Sequence, residues 1–200
     1  MYNIFSCPIY IKEIILPEEE IIELKNDIES LNLKKPKTWL ADINTSFDDH
    51  DRLHLDPSFG LLASCLNEHA ITFAKELNFK FSEFNIEMAY MWANVYEKNQ
   101  SQEKHSHGTS FISCSYMLDA PEDTSTFVFF NPLHEGLVSY PIENDELSSG
   151  LNGKNMVEIK SKTGKLIMFP GWLEHGVRAN PVDHKRITFS SNWHIVNKHE

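Results

Sequence analysis

From Asn85 onward the chain divides into short β-prone runs separated by turn residues: Met88 to Tyr96, Thr109 to Leu118, Thr126 to Phe130, Met156 to Lys160, Lys165 to Phe169, His175 to Arg178 and Arg186 to Ile195. Runs of this length and spacing predict a two-sheet β barrel or jelly roll, because each must share its buried face with several others. The last run shows which side faces what. Ile187, Phe189 and Trp193 point one way, and Arg186, Thr188, Ser190, Asn192 and His194 point the other. In a small barrel so polar a face lines a wet or liganded cavity; the competing reading is a solvent-facing edge of a sandwich. Trp92, Asn94 and Tyr96 alternate in the same way with Ala93 and Val95.

The N-terminal part has a different period. Ile9 to Ile15 reads as a short strand, and Pro17 followed by Glu18, Glu19 and Glu20 opens a helix whose stripe is Ile21, Leu24, Ile28 and Leu31. Lys34 to Arg52 is polar and predicted irregular. Pro57 then starts a longer helix with Leu62, Leu66, Ala70, Phe73 and Leu77 on one side. The expected organisation is one domain over residues 1–200, with 1–84 as helical support and 85–196 as the β core. An apolar content of 41% is ample for that core. The polar stretch from Pro132 to Asn155 is too long for a hairpin and reads as an insertion or lid.

Charge and cysteine usage narrow the partners. A net charge of -11 without a Lys/Arg cluster argues against nucleic acid and anionic lipid. Cys7, Cys65 and Cys114 lie far apart among apolar neighbours and read as reduced, buried thiols, which suits a cytoplasmic setting. Neither a signal peptide nor a membrane span is expected near Met1, since Lys12 and Glu13 interrupt the early apolar stretch. The oligomeric state is open, a homodimer included.

The chemistry lies in a few polar positions. His105 and His107 have the spacing that puts alternate side chains of an extended segment on one face, so both imidazoles can meet one ion. Phe169-Pro170-Gly171-Trp172-Leu173-Glu174-His175 ends a β-prone run in a turn that presents a third imidazole. Arg186 and Thr188 share a face and can clamp a carboxylate. Asn94 and Tyr96 can return beside the metal as neutral donors, although each alone is more often an ordinary sheet residue. His50, His54, His69, His134, His184 and His199 read as surface or satisfied residues; His194, on the Arg186 face, stays open.

Trp92-x-Asn94, His105-x-His107, Ser113 to Tyr116, Phe169-Pro170-x-Trp172-Leu173-x-His175-x-Val177 and Arg186-x-Thr188-x-Ser190-x-Asn192 together resemble the 2-oxoglutarate and Fe(II)-dependent oxygenases of marine bacteria and their phages. The likeness spans roughly residues 88 to 195. It implies a mainly β chain with N-terminal helices folded as a double-stranded β-helix, a cupin-like jelly roll, working in the cytoplasm of a bacterial or phage-infected cell. It also implies Fe(II) at His105, His107 and His175, 2-oxoglutarate held by Arg186 and Thr188 with Asn94 and Tyr96 assisting, and oxidative decarboxylation coupled to hydroxylation of a small-molecule or peptide substrate. Trp172, Trp193, Tyr116 and the Pro132–Asn155 stretch are candidates to shape the substrate pocket, or are packing.

One position departs from the wider superfamily, where the residue two after the first histidine is Asp or Glu. Here it is His107. Three neutral imidazoles leave a ferrous ion its full charge, so the 2-oxoglutarate dianion would bring the centre to neutrality. Histidine leaves no vacancy for halide, which disfavours halogenation. Glu103 is a rival third ligand, and a centre with no third protein ligand is another. Two wider alternatives stand beside the oxygenase: a cupin-like metalloenzyme without a keto acid, although the Glu expected a few residues after His107 is missing, and a noncatalytic jelly-roll module.

Overall fold

A computed structural model of the chain describes residues 7–37, 39–132 and 156–198. In chain order its elements are β1 (Tyr10–Glu13), α1 (Glu18–Ser30), β2 (Asn44–Thr45), α2 (Gly60–Glu76), β3 (Phe84–Tyr96), β4 (Gln102–His105), β5 (Ile112–Asp119), β6 (Phe127–Phe130), β7 (Met156–Ile159), β8 (Lys165–Pro170), β9 (His175–Val177) and β10 (Arg186–Asn197). A six-stranded sheet in the order β1-β8-β5-β10-β3-β2 faces a four-stranded sheet in the order β4-β9-β6-β7. Their strand pairs are antiparallel.

Alternation, interrupted by register shifts at Ile187/Thr188 and Asn192/Trp193, divides the large sheet into two packing faces. Outward, Met91 and Ala93 of β3, Leu166 and Met168 of β8, and Phe189 and Trp193 of β10 pack against Leu24 and Ile28 of α1 and Leu62, Leu66 and Phe73 of α2. The Trp193 indole N–H donates to Asn67 Oδ1 of α2 at 3.0 Å, so the largest ring on this face is satisfied as well as buried. Inward, Ile167 and Phe169 of β8 meet Phe127, Phe129 and Val177 of the small sheet. Each fully buried aliphatic or aromatic side chain contributes about 1.5 to 3 kcal/mol, and their position on opposite sides of one sheet fixes its register.

Local signals terminate the helices. Asn78 takes the left-handed conformation (φ 58) after α2, with its N–H on Lys75 O and the Phe79 N–H on Ala74 O, both 3.0 Å. This satisfies carbonyls that the last helical turn leaves free. Asn32 (φ 49) follows α1 in the same way.

The β-prone runs of the sequence all appear as strands, and both expected helices are present, α2 being preceded by a 3-10 turn over Pro57–Phe59. One strand was not expected and one has other bounds than expected. β2 lies in the stretch read as irregular; the extended segment expected to carry both His105 and His107, β4, begins at Gln102 and ends at His105, and its Gln-Glu-Lys-His has no apolar alternation. Pairing with β9 holds β4 in place instead. The three thiols are free, but only Cys114 is buried; Cys7 and Cys65 are half-buried, correcting the expectation for those two. Tyr116 and Trp193, which the sequence left as either pocket-shaping or packing, are packing: both belong to the outer core against the helices. Residues 133–155 of the expected insertion lie outside the described residues.

Candidate metal centre

β4 and β9 are neighbours in the small sheet, with His105 directly opposite His175. Their ring centroids are 4.3 Å apart. His107 comes from the turn that follows β4, its ring 5.2 Å from that of His105 and 5.1 Å from that of His175. One ligand atom from each lies within 4.8 Å of the others, close enough for one ion to sit among them.

Backbone carbonyls set two of the three imidazoles. His105 Nδ1 lies 2.8 Å from Glu103 O, and His175 Nδ1 lies 2.8 Å from Leu173 O. A carbonyl only accepts, so both Nδ1 atoms carry the proton and both Nε2 atoms keep a lone pair for a metal. Burial keeps the cluster neutral. It lowers His105, against the pull of the Glu103 carbonyl. It drives His107 down to about 3, with repulsion from His105 adding to the effect. His175 falls well below its ordinary value for the same reasons. Phe127 stacks on His175 at 5.4 Å and 9°, walling that side from water.

Gly171 positions His107. Its carbonyl accepts the His107 N–H at 2.8 Å, and a Cβ on Gly171 would lie 2.2 Å from Ser110 O. Only a residue without a side chain lets the His107–Ser110 turn dock there.

Glu103 is not part of the cluster. Its Oε1 accepts the Leu40 N–H at 3.2 Å and its Oε2 accepts from Gln102 Nε2 at 2.9 Å. A register shift between Gln102 and His105 gives β4 an extra residue against β9, so Gln102, three residues before His105, also reaches the cavity. Glu174 points away and pairs with Lys104 at 2.6 Å. Among the described residues the convergent ligand set is the three histidines.

At the start of β10, Arg186 is fully buried beside its cross-strand partner Tyr96. Its Nε donates to Ser161 Oγ at 3.2 Å and its guanidinium lies over the Tyr96 ring at 5.0 Å, while Nη1 and Nη2 have no hydrogen-bond partner among the described residues. Burial pushes the guanidinium down and the Tyr96 phenol up, and each opposes the shift of the other. A buried cation with two unused donor groups is costly unless an anion completes it. Thr188 is buried two residues on, opposite Asn94. The Asn94 amide donates to Ser190 Oγ at 3.1 Å and accepts from Thr45 Oγ1 at 2.9 Å, joining β2, β3 and β10. Asn94 is thus at least in part the sheet residue of the bland alternative.

Asn94, Tyr96 and the three histidines line one inner cavity. Its volume is about 30 Å³, too small for a five-carbon diacid, so entry of such a ligand requires its walls to move. A second cavity of about 480 Å³ shares His105, His107, Trp39, Trp92 and Gln102 with the first and is also lined by Phe47, Glu103, Asn192 and His194 among others. His194, open in the sequence, is placed here; Trp172 is half-exposed and lines neither cavity. His69 pairs with Tyr10 Oη at 2.8 Å and His184 with Asp119 at 2.9 Å, as expected of satisfied histidines. Gln102, Ser161 and the Trp39–Phe47 wall were not anticipated, because none carries a spacing pattern. Gly171 was visible in sequence but without a reason for its role.

The family described as "Putative 2OG-Fe(II) oxygenase" matches residues 90–192, just over half the chain. No curated protein matches the sequence. Among solved structures, HygX of Streptomyces hygroscopicus with nickel, 2-oxoglutarate and hygromycin B bound superposes with a TM-score of 0.64 at 12% identity, covering 94% of this chain and 83% of that one. A Pseudomonas putida prolyl-4-hydroxylase gives 0.64 at 10% identity, covering 94% and 93%. An oxidoreductase from Burkholderia pseudomallei gives 0.59 at 13%, covering 93% and 84%. At such identities these likenesses establish a shared fold.

Proposed function

Since the chain belongs to the 2OG-Fe(II) oxygenase family, we propose that it couples oxidative decarboxylation of 2-oxoglutarate to hydroxylation of a small organic substrate, with Fe(II) at His105, His107 and His175. Three imidazoles kept neutral by burial, with ligand atoms within 4.8 Å of one another, suit a first-row divalent ion, and three protein ligands would leave an octahedral ion room for a bidentate keto acid and dioxygen. When bound, Fe(II) and 2-oxoglutarate supply the electrons that split dioxygen, one atom entering the substrate C–H bond and the other the succinate formed with carbon dioxide.

The observation that carries this reading is the buried Arg186 guanidinium, whose two terminal nitrogens reach no hydrogen-bond partner among the described residues. It binds the distal carboxylate of 2-oxoglutarate by charge-assisted hydrogen bonds, and Thr188 on the same face adds a hydroxyl. Tyr96 supports the guanidinium through its ring face. Asn94 holds the strands on which both clamp residues sit. A metalloenzyme without a keto acid, or a noncatalytic jelly roll, gives this guanidinium no partner.

The 480 Å³ cavity is within the size range of small-molecule sites, and HygX, with its bound hygromycin B, shows a member of this fold holding such a ligand. We read residues 1–200 as one domain, supported by helices that share a core with the large sheet. A cytoplasmic location is supported by three free thiols. No described helix is long and apolar enough to cross a membrane.

The test is succinate release from 2-oxoglutarate by the Fe(II)-loaded protein under air, measured against the metal-free protein. Release that depends on iron and disappears in Arg186→Ala is expected. Equal release from Arg186→Ala would refute the assignment.

A further inference from the structure

We propose that the outer cavity receives an organic ammonium group, which makes a cation-bearing molecule the prime substrate; this rests on the oxygenase reading above and names the substrate class of that site. Three rings form one side of the cavity. Phe47 and Trp92 have centroids 5.1 Å apart at 74°, Trp39 and Trp92 6.4 Å apart at 60°, and Trp39 and Phe47 4.9 Å apart at 44°. Rings inclined in this way make a corner, the shape that surrounds an alkylated ammonium with negative π faces.

The charge at the cavity has the matching sign. Glu103 is its lining carboxylate, and no Lys or Arg is among its described lining residues. The carboxylate stays outside the imidazole cluster, and each of its oxygens accepts one hydrogen bond, from Leu40 N–H or from Gln102 Nε2. Each oxygen therefore retains a lone pair for an ammonium. With three neutral ligands, a divalent ion and the 2-oxoglutarate dianion cancel, and Arg186 is not among the residues lining this cavity, so Glu103 is the charged side chain that faces the substrate there.

The Leu40 N–H bond also ties the carboxylate to the segment that carries Trp39, so the charge and one ring of the corner are placed together.

Choline and its isosteric analogue 3,3-dimethylbutan-1-ol differ at one atom, a cationic nitrogen against a neutral carbon, and 3,3-dimethylbutanoate keeps the neutral tert-butyl group but carries a net negative charge. Each is titrated calorimetrically, without oxygen, into the Fe(II)-loaded protein saturated with 2-oxoglutarate. Choline is expected to bind at least about tenfold more tightly than the alcohol, the discrimination available to a partly desolvated cation on aromatic faces beside a carboxylate. Glu103→Gln, which keeps an acceptor for Leu40 N–H, and Phe47→Leu should each reduce that preference severalfold. Equal or tighter binding of the alcohol or the butanoate, or no choline binding while 2-oxoglutarate binds normally, would overturn the proposal. A separate 2-oxoglutarate titration on the same preparations reports on the underlying oxygenase reading, so the two failures are distinguishable.

Discussion

Replacing Arg186 by Met should separate cosubstrate binding from folding. The guanidinium has no exposed surface, one conventional hydrogen bond to Ser161 and two terminal nitrogens without partners among the described residues. Two charge-assisted hydrogen bonds to a carboxylate, at about 1.5 to 3 kcal/mol each, amount to about 3 to 6 kcal/mol. The 2-oxoglutarate dissociation constant should therefore rise by about two to four orders of magnitude. The ligand-free protein should respond in the opposite direction, since replacing an uncompensated buried charge by an apolar side chain of similar length is neutral or stabilising. Thermal denaturation of the metal-loaded protein reads both effects. For the parent, 2-oxoglutarate at a hundred times its dissociation constant adds about 2.7 kcal/mol, or about 5 to 10 °C for a chain of this size. Arg186→Met should show an equal or higher midpoint without ligand and almost no ligand-induced rise. A variant that loses several degrees without ligand, yet keeps the rise, would show that Arg186 serves the barrel and not the dianion.

Four further outcomes follow from the same contacts. His105→Ala and His175→Ala should each weaken metal binding by more than the roughly 10 to 100-fold typical of losing an outer-shell partner, whereas Glu103→Gln should retain the metal, as measured by metal content after gel filtration. Gly171→Ala forces a Cβ toward Ser110 O and should lower stability by about 1 to 3 kcal/mol in urea unfolding while displacing His107 and loosening the metal. Because three neutral imidazoles leave the ion its full charge, metal and 2-oxoglutarate should each tighten the binding of the other, measured as equal coupling in the two titrations; independent binding would contradict this. Burial pushes the Asp119 carboxyl up, but hydrogen bonds from Lys25 (2.5 Å) and His184 (2.9 Å) outweigh that and hold it below the usual range. Its contribution is then complete above the unfolded value near about 3.9 and is lost as pH falls through the lower folded value, so Asp119→Asn should flatten that part of the stability profile.

Much of this was legible because period-2 alternation is a strong signal wherever both faces of a strand are buried in different chemistry. β10 is the clearest example: Phe189 and Trp193 went to the helices and Arg186, Thr188 and Ser190 to the interior. The metal cluster was readable for a related reason, since His105 and His107 are close in sequence and His175 ends a recognisable β-prone run. β4 was less legible because its polar residues are ordered by backbone pairing with β9 and not by burial of their own side chains. The same register shift separates Gln102 from Glu103, which no spacing rule indicates. Ser161, the hydrogen-bond partner of Arg186, lies 25 residues from it, and the Trp39–Phe47 corner comes from a segment without periodicity. Such contacts depend on tertiary placement, which local pattern does not encode.

The most direct measurement is an anaerobic titration of the Fe(II)-loaded protein with 2-oxoglutarate, followed by visible absorption. If the three histidines hold iron and Arg186 delivers the keto acid to it, a metal-to-ligand charge-transfer band grows to saturation at one equivalent and is absent in His175→Ala. Iron that binds stoichiometrically yet gives no band at any 2-oxoglutarate concentration would contradict the account.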